Sequence, residues 1–315
     1  MKFLVYGLGL IMGLGSLSTC SKSRGLGPAK AVAVREDGAV DLQLMSFNLR
    51  YESPDDRDLH AWRQRVVGVV KMIRRLQPDC IGVQEALHGQ VADLWASLPD
   101  YEFYGVGRED GQRAGEYSGI FYRRERFRAD PADCGTFWLS GTPAIPGSRT
   151  WGNEFTRVAA WVRLVDLATG RGFYVFNSHW DHQNQQSRER AALLIAQRID
   201  QRAHPAEPLA LIGDFNSSEA NPGVVYLTGK PVSLVGSPQV WANGLQDTYH
   251  ALHPGGNKRR TLHFWTGSLE GMLKVDYILV SRGAKIEVAE IISEDQPVLS
   301  DHFPVTARVK FPRSP

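Results

Sequence analysis

Between residues 40 and 311, short apolar or alternating runs stop again and again on an acid, an amide or an imidazole. The sharpest case is 209–216, where Leu211 and Ile212 rise into Gly213, and Asp214 and Asn216 follow two apart. An apolar run ending in glycine reads as a buried strand reaching its edge. The strand period of two would put Asp214 and Asn216 on one face. Gly-Asp is also common in turns, so this stretch alone leaves strand end and turn both open.

The rest of the chain repeats the pattern. Alternation predicts strands at 40–48, 79–85, 158–166, 173–179, 275–280, 286–292 and 306–311, with shorter ones near Phe103, at 118–122 and at 137–139. Helical periodicity predicts 62–76, where Val66, Val69, Val70 and Ile73 alternate with Arg and Lys and Pro78 ends the run, then 89–98 and 186–201. Many strands interrupted by a few long helices point to an α/β fold with sheets covered by helices.

The first residues differ in kind. Lys2, an uncharged apolar run over 3–17 and then Ser18, Thr19 and Cys20 form the layout of a secretory signal peptide over 1–20. The Leu-Ser-Thr-Cys ending resembles a bacterial lipoprotein signal, so the expectation is an exported chain, periplasmic or in the cell envelope, held at the membrane through a lipidated Cys20. Residues 21–39 read as a flexible tether. Residues 40–311, with no further linker and no repeat, read as one domain, expected to be monomeric.

Of 315 residues, 43% are hydrophobic and 22% charged, which provides for a sizeable core, and the formal net charge is +2. That charge is too small to mark a nucleic-acid binder. The basic clusters at Arg123, Arg124, Arg126, Arg128 and at Lys258, Arg259, Arg260 read as solvated edges rather than phosphate patches.

The polar stops are Asn48, Glu85, His179, Asp214 with Asn216, Asp276, and the pair Asp301-His302. A shared rim of carboxylates and amides favours a hard cation such as Mg²⁺, with Mn²⁺ as a substitute, and the lack of paired cysteine ligands argues against structural zinc. Arg50, Arg157 and His263 are candidate substrate contacts, because a guanidinium fork matches phosphate oxygens. Trp151, Trp241 and Trp265 lie in loop-like segments, where packing under a loop competes with stacking on a substrate.

Seven motifs in order carry a family resemblance: Met45-Ser-Phe-Asn-Leu49, Val83-Gln-Glu85, Tyr117-Ser-Gly-Ile-Phe-Tyr122, Asn177-Ser-His179, Gly213-Asp-Phe-Asn216, Val275-Asp-Tyr-Ile278 and Ser300-Asp-His302. The chain resembles the endonuclease/exonuclease/phosphatase superfamily, with its pancreatic deoxyribonuclease-like fold. The resemblance implies a four-layer α/β/β/α sandwich with two packed central β-sheets. It also implies a Mg²⁺-dependent phosphoric ester hydrolase that works by water attack. Carried over by position, Glu85, Asn48 and Asp301 would surround the metal. Asp214 would align or deprotonate water, and Asn216 would hold it or a phosphate oxygen. His302, backed by Asp276, would donate to a phosphoryl oxygen, and His179, backed by Glu116, would contact the phosphate or protonate the leaving oxygen.

A second likeness, in Gly135-Thr-Phe-Trp-Leu-Ser-Gly-Thr-Pro143, Trp151 and Arg157, is to an exported bacterial branch of that superfamily. The expected substrate is a small, sugar-linked or lipid-headgroup phosphate ester, mono- or diester. An extracytoplasmic DNA or RNA nuclease is the alternative, with nucleic acid as a possible but disfavoured partner. A non-catalytic lipoprotein binding phosphorylated ligands is the third reading.

Overall fold

The computed structural model describes residues 38–255, 259–295 and 297–313. The expected signal peptide, the tether up to residue 37, and Lys258 lie outside the described residues.

Two six-stranded mixed sheets lie face to face. In chain order the elements are β1 (Val40–Asn48), α1 (Trp62–Leu76), β2 (Cys80–Ala86), α2 (His88–Ser97), β3 (Tyr101–Tyr104), β4 (Tyr117–Arg123), β5 (Phe127–Trp138), β6 (Val158–Asp166), β7 (Gly172–His179), α3 (Gln185–Asp200), β8 (Leu209–Asp214), α4 (Pro222–Leu227), β9 (Val232–Leu234), β10 (Ser237–Gln239), β11 (Gln246–Asp247), α5 (Thr248–Leu252), β12 (Asp276–Val280), β13 (Lys285–Ile291) and β14 (Val305–Phe311). One sheet runs β13-β14-β1-β2-β4-β3, the other β11-β12-β8-β7-β6-β5, and β9 and β10 form a separate hairpin. No helix among the described residues is long and apolar enough to cross a membrane.

Period-two alternation builds the layers. Val40, Leu42 and Leu44 of β1 face inward with Phe173 and Val175 of β7 and Ala210 and Ile212 of β8, forming the core between the sheets. The odd partners, Met45 and Phe47, face outward onto Val69, Val70 and Ile73 of α1 and Leu94 of α2. Tyr174, Phe176, Leu209 and Leu211 face outward onto Ala191, Ala192 and Ile195 of α3. Three apolar layers between four layers of secondary structure give the expected sandwich.

Two sequence expectations need correction. The strands near 137–139 belong to the twelve-residue β5, which starts at Phe127; a shift in its pairing with β6 between Ala129 and Cys134 hides the alternation. The strand expected over 209–216 ends at Asp214. Phe215 drops into the core and Asn216 takes a left-handed φ of 46°, so Asp214 and Asn216 do not share a pleated face. Instead the Asp214 side chain accepts the Asn216 N–H at 2.8 Å, an Asx turn at a strand end. Both initial readings of this stretch are realised at once.

Trp241 is buried and donates to Asp200 at 3.0 Å, Trp151 packs against the second sheet's outer core, and Trp265 stacks on His60 with centroids 4.1 Å apart. The Arg123–Arg128 cluster sits at the junction of β4 and β5, where Arg126 pairs with Asp79 at 2.6 Å.

Candidate active site

The inner faces of the sheets change character at one end. Going up β1, Leu42 and Leu44 give way to Ser46 and Asn48; on β7, Val175 gives way to Asn177 and His179; on β8, Ile212 gives way to Asp214. Strand β12 is antiparallel to β8, so its first residue, Asp276, lies opposite Asp214. The apolar layer between the sheets thus continues upward as a buried polar layer, and that layer is the site.

Glu85 reaches it by another route. Ile81 and Val83 of the same strand face the outer helices, so strict alternation would send Glu85 outward too. Its φ of 59° and the irregular pairing of β2 with β4 between Val83 and Ala86 turn it toward the rim instead. Such a bulge re-aims a side chain at the expense of local ladder bonds.

One hydrogen-bonded bridge joins the two sheets under this rim, and two further features fix the strands and loops around it. Gln84 of β2 donates to the Asn177 side chain of β7 at 2.8 Å, and Asn177 donates to the carbonyls of Val83 and Gly119 at 2.9 and 2.7 Å. Gly213 has no side chain because a Cβ there would lie 2.1 Å from the Ser178 carbonyl oxygen of the neighbouring parallel strand. The wholly buried Arg65 of α1 donates to the carbonyls of His60, Leu49, Leu299 and Arg50 at 2.6–3.1 Å. It ties the loop after Asn48 to the loop before Asp301.

Asn48 joins the acids. Its side-chain amide nitrogen donates at 3.0 Å to both Glu85 and Asp214, and its Oδ1 accepts the Arg50 N–H at 2.9 Å. That pattern fixes which end of the amide is which. Tyr51 N–H adds a bond to the other Glu85 oxygen at 3.2 Å. Burial pushes the Asp214 carboxyl up to about 7, Asp276 adds to the rise, and His302, the Asn216 N–H and Asn48 oppose it.

His302 and Asp276 form a buried pair at 2.9 Å, with His302 Nε2 directed at Asp214, 3.9 Å away. Burial by itself would lower His302; Asp276, Asp214 and Asp301 outweigh it and raise the imidazole to about 10. His179 is the opposite case. Its Nε2 accepts from Asn216 at 2.9 Å and lies 3.5 Å from Asp214, which leaves its proton on Nδ1. Burial, then Arg157 and Arg108, hold it well below the ordinary histidine range. Glu116 lies 3.8 Å from His179 Nδ1 but is bonded to Arg108 at 2.5 Å. One histidine is therefore charged and the other neutral.

Glu85, His179 and Asp214 each present a ligand atom within 4.8 Å of the others, as do Asp214, Asp276 and His302. Asp301 is within electrostatic reach of Glu85, and burial raises its carboxyl. Asp276 Oδ1 is buried without a partner. Converging carboxylate oxygens with so few cations among them fit a hard divalent ion.

The expected substrate contacts are placed unequally. Arg50, at φ 55°, is held by a two-pronged pair with Asp56 at 3.0 and 3.2 Å. Arg157 is buried and its Nη2 meets His182 Nδ1 at 3.0 Å. His263 is wholly buried, packed on Phe303, its Nδ1 accepting the Gly267 N–H at 3.2 Å. Burial, and then the neighbouring His302, lower it to about 4, and its Nε2 is buried without a hydrogen-bond partner. Sequence reasoning did not find Arg108, Asp56, Arg65 or Gln84. The motif Val83-Gln-Glu85 carried a signal for Gln84 alone.

A sequence profile described as the Endonuclease/Exonuclease/phosphatase family matches residues 45–302. Among solved structures, an endonuclease/exonuclease/phosphatase from Bacteroides vulgatus is 32% identical with a TM-score of 0.76, over 86% of this chain and 99% of that one. A mannosyl-6-phosphatase from Bacteroides thetaiotaomicron is 28% identical with a TM-score of 0.74, over 85% of this chain and 99% of that one. A probable RNA exonuclease of Saccharomyces cerevisiae, NGL3, is 23% identical over 68% of this chain and 45% of its own length. The chain spans about half the length of the curated relatives it matches.

Proposed function

The chain belongs to the Endonuclease/Exonuclease/phosphatase family, and from that premise we propose that it is an exported, Mg²⁺-dependent phosphoesterase acting on a small sugar-linked phosphate. The observation that carries this reading is the cationic His302, held charged by Asp276 and facing a carboxylate, Asp214, poised near neutrality. A phosphate ester is anionic and repels a nucleophile, so hydrolysis needs positive charge at its oxygens and a base for water.

His302 Nε2–H donates to a non-bridging oxygen. Asp214 takes the proton from the attacking water, with Asn216 and Asn48 fixing the carboxylate's orientation. Neutral His179 carries its proton on Nδ1 and accepts on Nε2, so it orients Asn216 in the free enzyme. Glu85 and Asp301 would hold a divalent cation, Mg²⁺ or Mn²⁺, which when bound supplies further positive charge to the phosphoryl oxygens.

A sugar-linked monoester is favoured over nucleic acid by the likeness to the mannosyl-6-phosphatase and by the low net charge of the chain. The signal-like residues 1–20, with Cys20 as a lipid-bearing residue, support an envelope location. The test is phosphate release from mannose 6-phosphate, other sugar phosphates and nucleotides, headgroup release from phospholipids, and strand cleavage of DNA and RNA, each with Mg²⁺, Mn²⁺ and chelator. Metal-dependent release confined to sugar phosphates supports the reading; cleavage of DNA or RNA in preference to them refutes the substrate class.

A further inference from the structure

A cavity of about 490 Å³ opens at the end of the sandwich opposite the active site. Strand direction places it there. Parallel β7 and β8 deliver His179 and Asp214 at their C-terminal ends, whereas the cavity is lined by Arg171, just before β7, and by Leu209, at the start of β8. The length of β7 separates the two by roughly 23 Å.

Four guanidinium groups line the cavity: Arg171, Arg202, Arg282 and Arg313. Of its two carboxylates, Glu207 is ion-paired to Arg163 and Asp200 has only neutral donors, which leaves four guanidinium groups against one unpaired carboxylate. Asp200 accepts from Trp241 and Asn243 at 3.0 and 2.9 Å, and Glu207 takes both prongs of Arg163 at 2.8 and 2.5 Å. The cavity arginines end on backbone carbonyls instead. Arg171 donates to Gly38, Phe311 and Pro312, Arg202 to Pro205 and Glu207, and Arg282 to Thr228. Arg202 lies over the Tyr174 ring, with Nε and Nη1 buried and without hydrogen-bond partners.

Carbonyls orient a guanidinium but do not cancel its charge, so the cavity holds cationic groups in excess of free anions. The planar forks suit the oxygens of a phosphoryl group, and they come from four separate segments that only the fold brings together. The same end receives the N-terminal segment: Gly38 accepts from Arg171 at 2.8 Å, and β1 begins at Val40 paired with Phe311. A chain held at a membrane through Cys20 would bring this end within a tether's length of lipid.

We propose that this cavity is a second, non-catalytic anion site that takes a phosphoryl group, supplied by an anionic lipid headgroup when the chain is at a membrane. The lipid source rests on the envelope reading above; the phosphoryl chemistry does not.

The test uses residues 21–315, which lack both the apolar run 3–17 and the lipid-bearing Cys20, and the same chain with Arg282→Gln and Arg313→Gln, two exposed residues lining the cavity. Calorimetric titration with inorganic phosphate in chelator, against chloride at equal ionic strength, reads the site. Sedimentation with phosphatidylglycerol vesicles, against phosphatidylcholine alone, reads the source. The expected result is a phosphate-binding event that the double variant loses or weakens about ten-fold or more, with hydrolysis unchanged, and vesicle retention lost in parallel. Phosphate binding lost in the variant without vesicle retention in either protein supports the site and assigns a soluble phosphate ester as its ligand. Equal phosphate binding by the two proteins, or none beyond chloride in the parent, overturns the proposal.

Discussion

His302 Nδ1 sits 2.9 Å from Oδ2 of Asp276, a fully buried carboxylate whose other oxygen has no partner. Among the described residues the Asp276 carboxylate has one hydrogen-bond partner, and its effect there is to keep that imidazole charged. The charged form is complete below the ordinary value of 6.5 and fades as pH rises through about 10, so the stability drawn from the pair is lost over that window.

Asp276→Asn removes the charge and keeps the shape. The alkaline limb of kcat is expected to move from near 10 toward neutrality, with kcat at pH 8 down by about 10²–10⁴-fold. A pH–rate profile of the variant checks this, and an unchanged alkaline limb would separate Asp276 from the role given to it.

Asp214 titrates in the opposite sense for catalysis. Its base form appears as pH rises through about 7 in the metal-free protein, so activity at low metal should climb across that range. Asp214→Asn should lower kcat by about 10³-fold or more with little change in KM. Steady-state kinetics of the pair, in which a large KM change with preserved kcat would assign Asp214 to binding alone, decide the point.

Mutual repulsion among Glu85, Asp214, Asp276 and Asp301 should be relieved by a divalent cation. Saturating Mg²⁺ or Mn²⁺ is expected to raise Tm by about 5 °C or more, and Glu85→Ala to remove most of that shift. Calorimetric scans with and without metal read it directly; equal shifts in both proteins would place the ion elsewhere.

The bridge between the sheets should matter to both stability and rate. Asn177→Leu strands the Val83 and Gly119 carbonyls and takes one partner from the Gln84 amide, at a cost of about 2–4 kcal/mol, and loosens the rim where Asn48 meets Asp214. Urea unfolding gives the first effect and kcat the second. A stable variant with full activity would reduce the bridge to ordinary packing.

Much of this was legible in the chain because strand alternation is a local signal. Asn48, His179 and Asp214 continue the inward-facing series of their strands, and Asp276 begins one, so their shared rim follows from pattern and topology. Glu85 was legible as a motif, but its direction was not, since a positive φ at that residue overrides the pleat. Asn216 was misplaced by two residues of strand for the same reason. Glu116 was read as the partner of His179, yet Arg108 lies closer to it, and nothing in the spacing of Arg108 and Glu116 announces that competition. His263 is expected as a substrate contact, and its full burial, with the Gly267 N–H closing on Nδ1, is a tertiary outcome that local spacing does not show. What escaped the sequence is thus the tertiary pairing of arginines with acids, as in Arg50 with Asp56.

The central claim is that water, activated at Asp214 and opposite a phosphoryl group held by His302, breaks the phosphorus–oxygen bond. Hydrolysis of mannose 6-phosphate in heavy-oxygen water, with Mg²⁺ and with the released phosphate analysed by mass, tests it most directly. Label in every phosphate and none in the sugar, lost together with turnover in Asp214→Asn, is the expected result. Label in the sugar, or turnover that survives both Asp214→Asn and chelator, would contradict it.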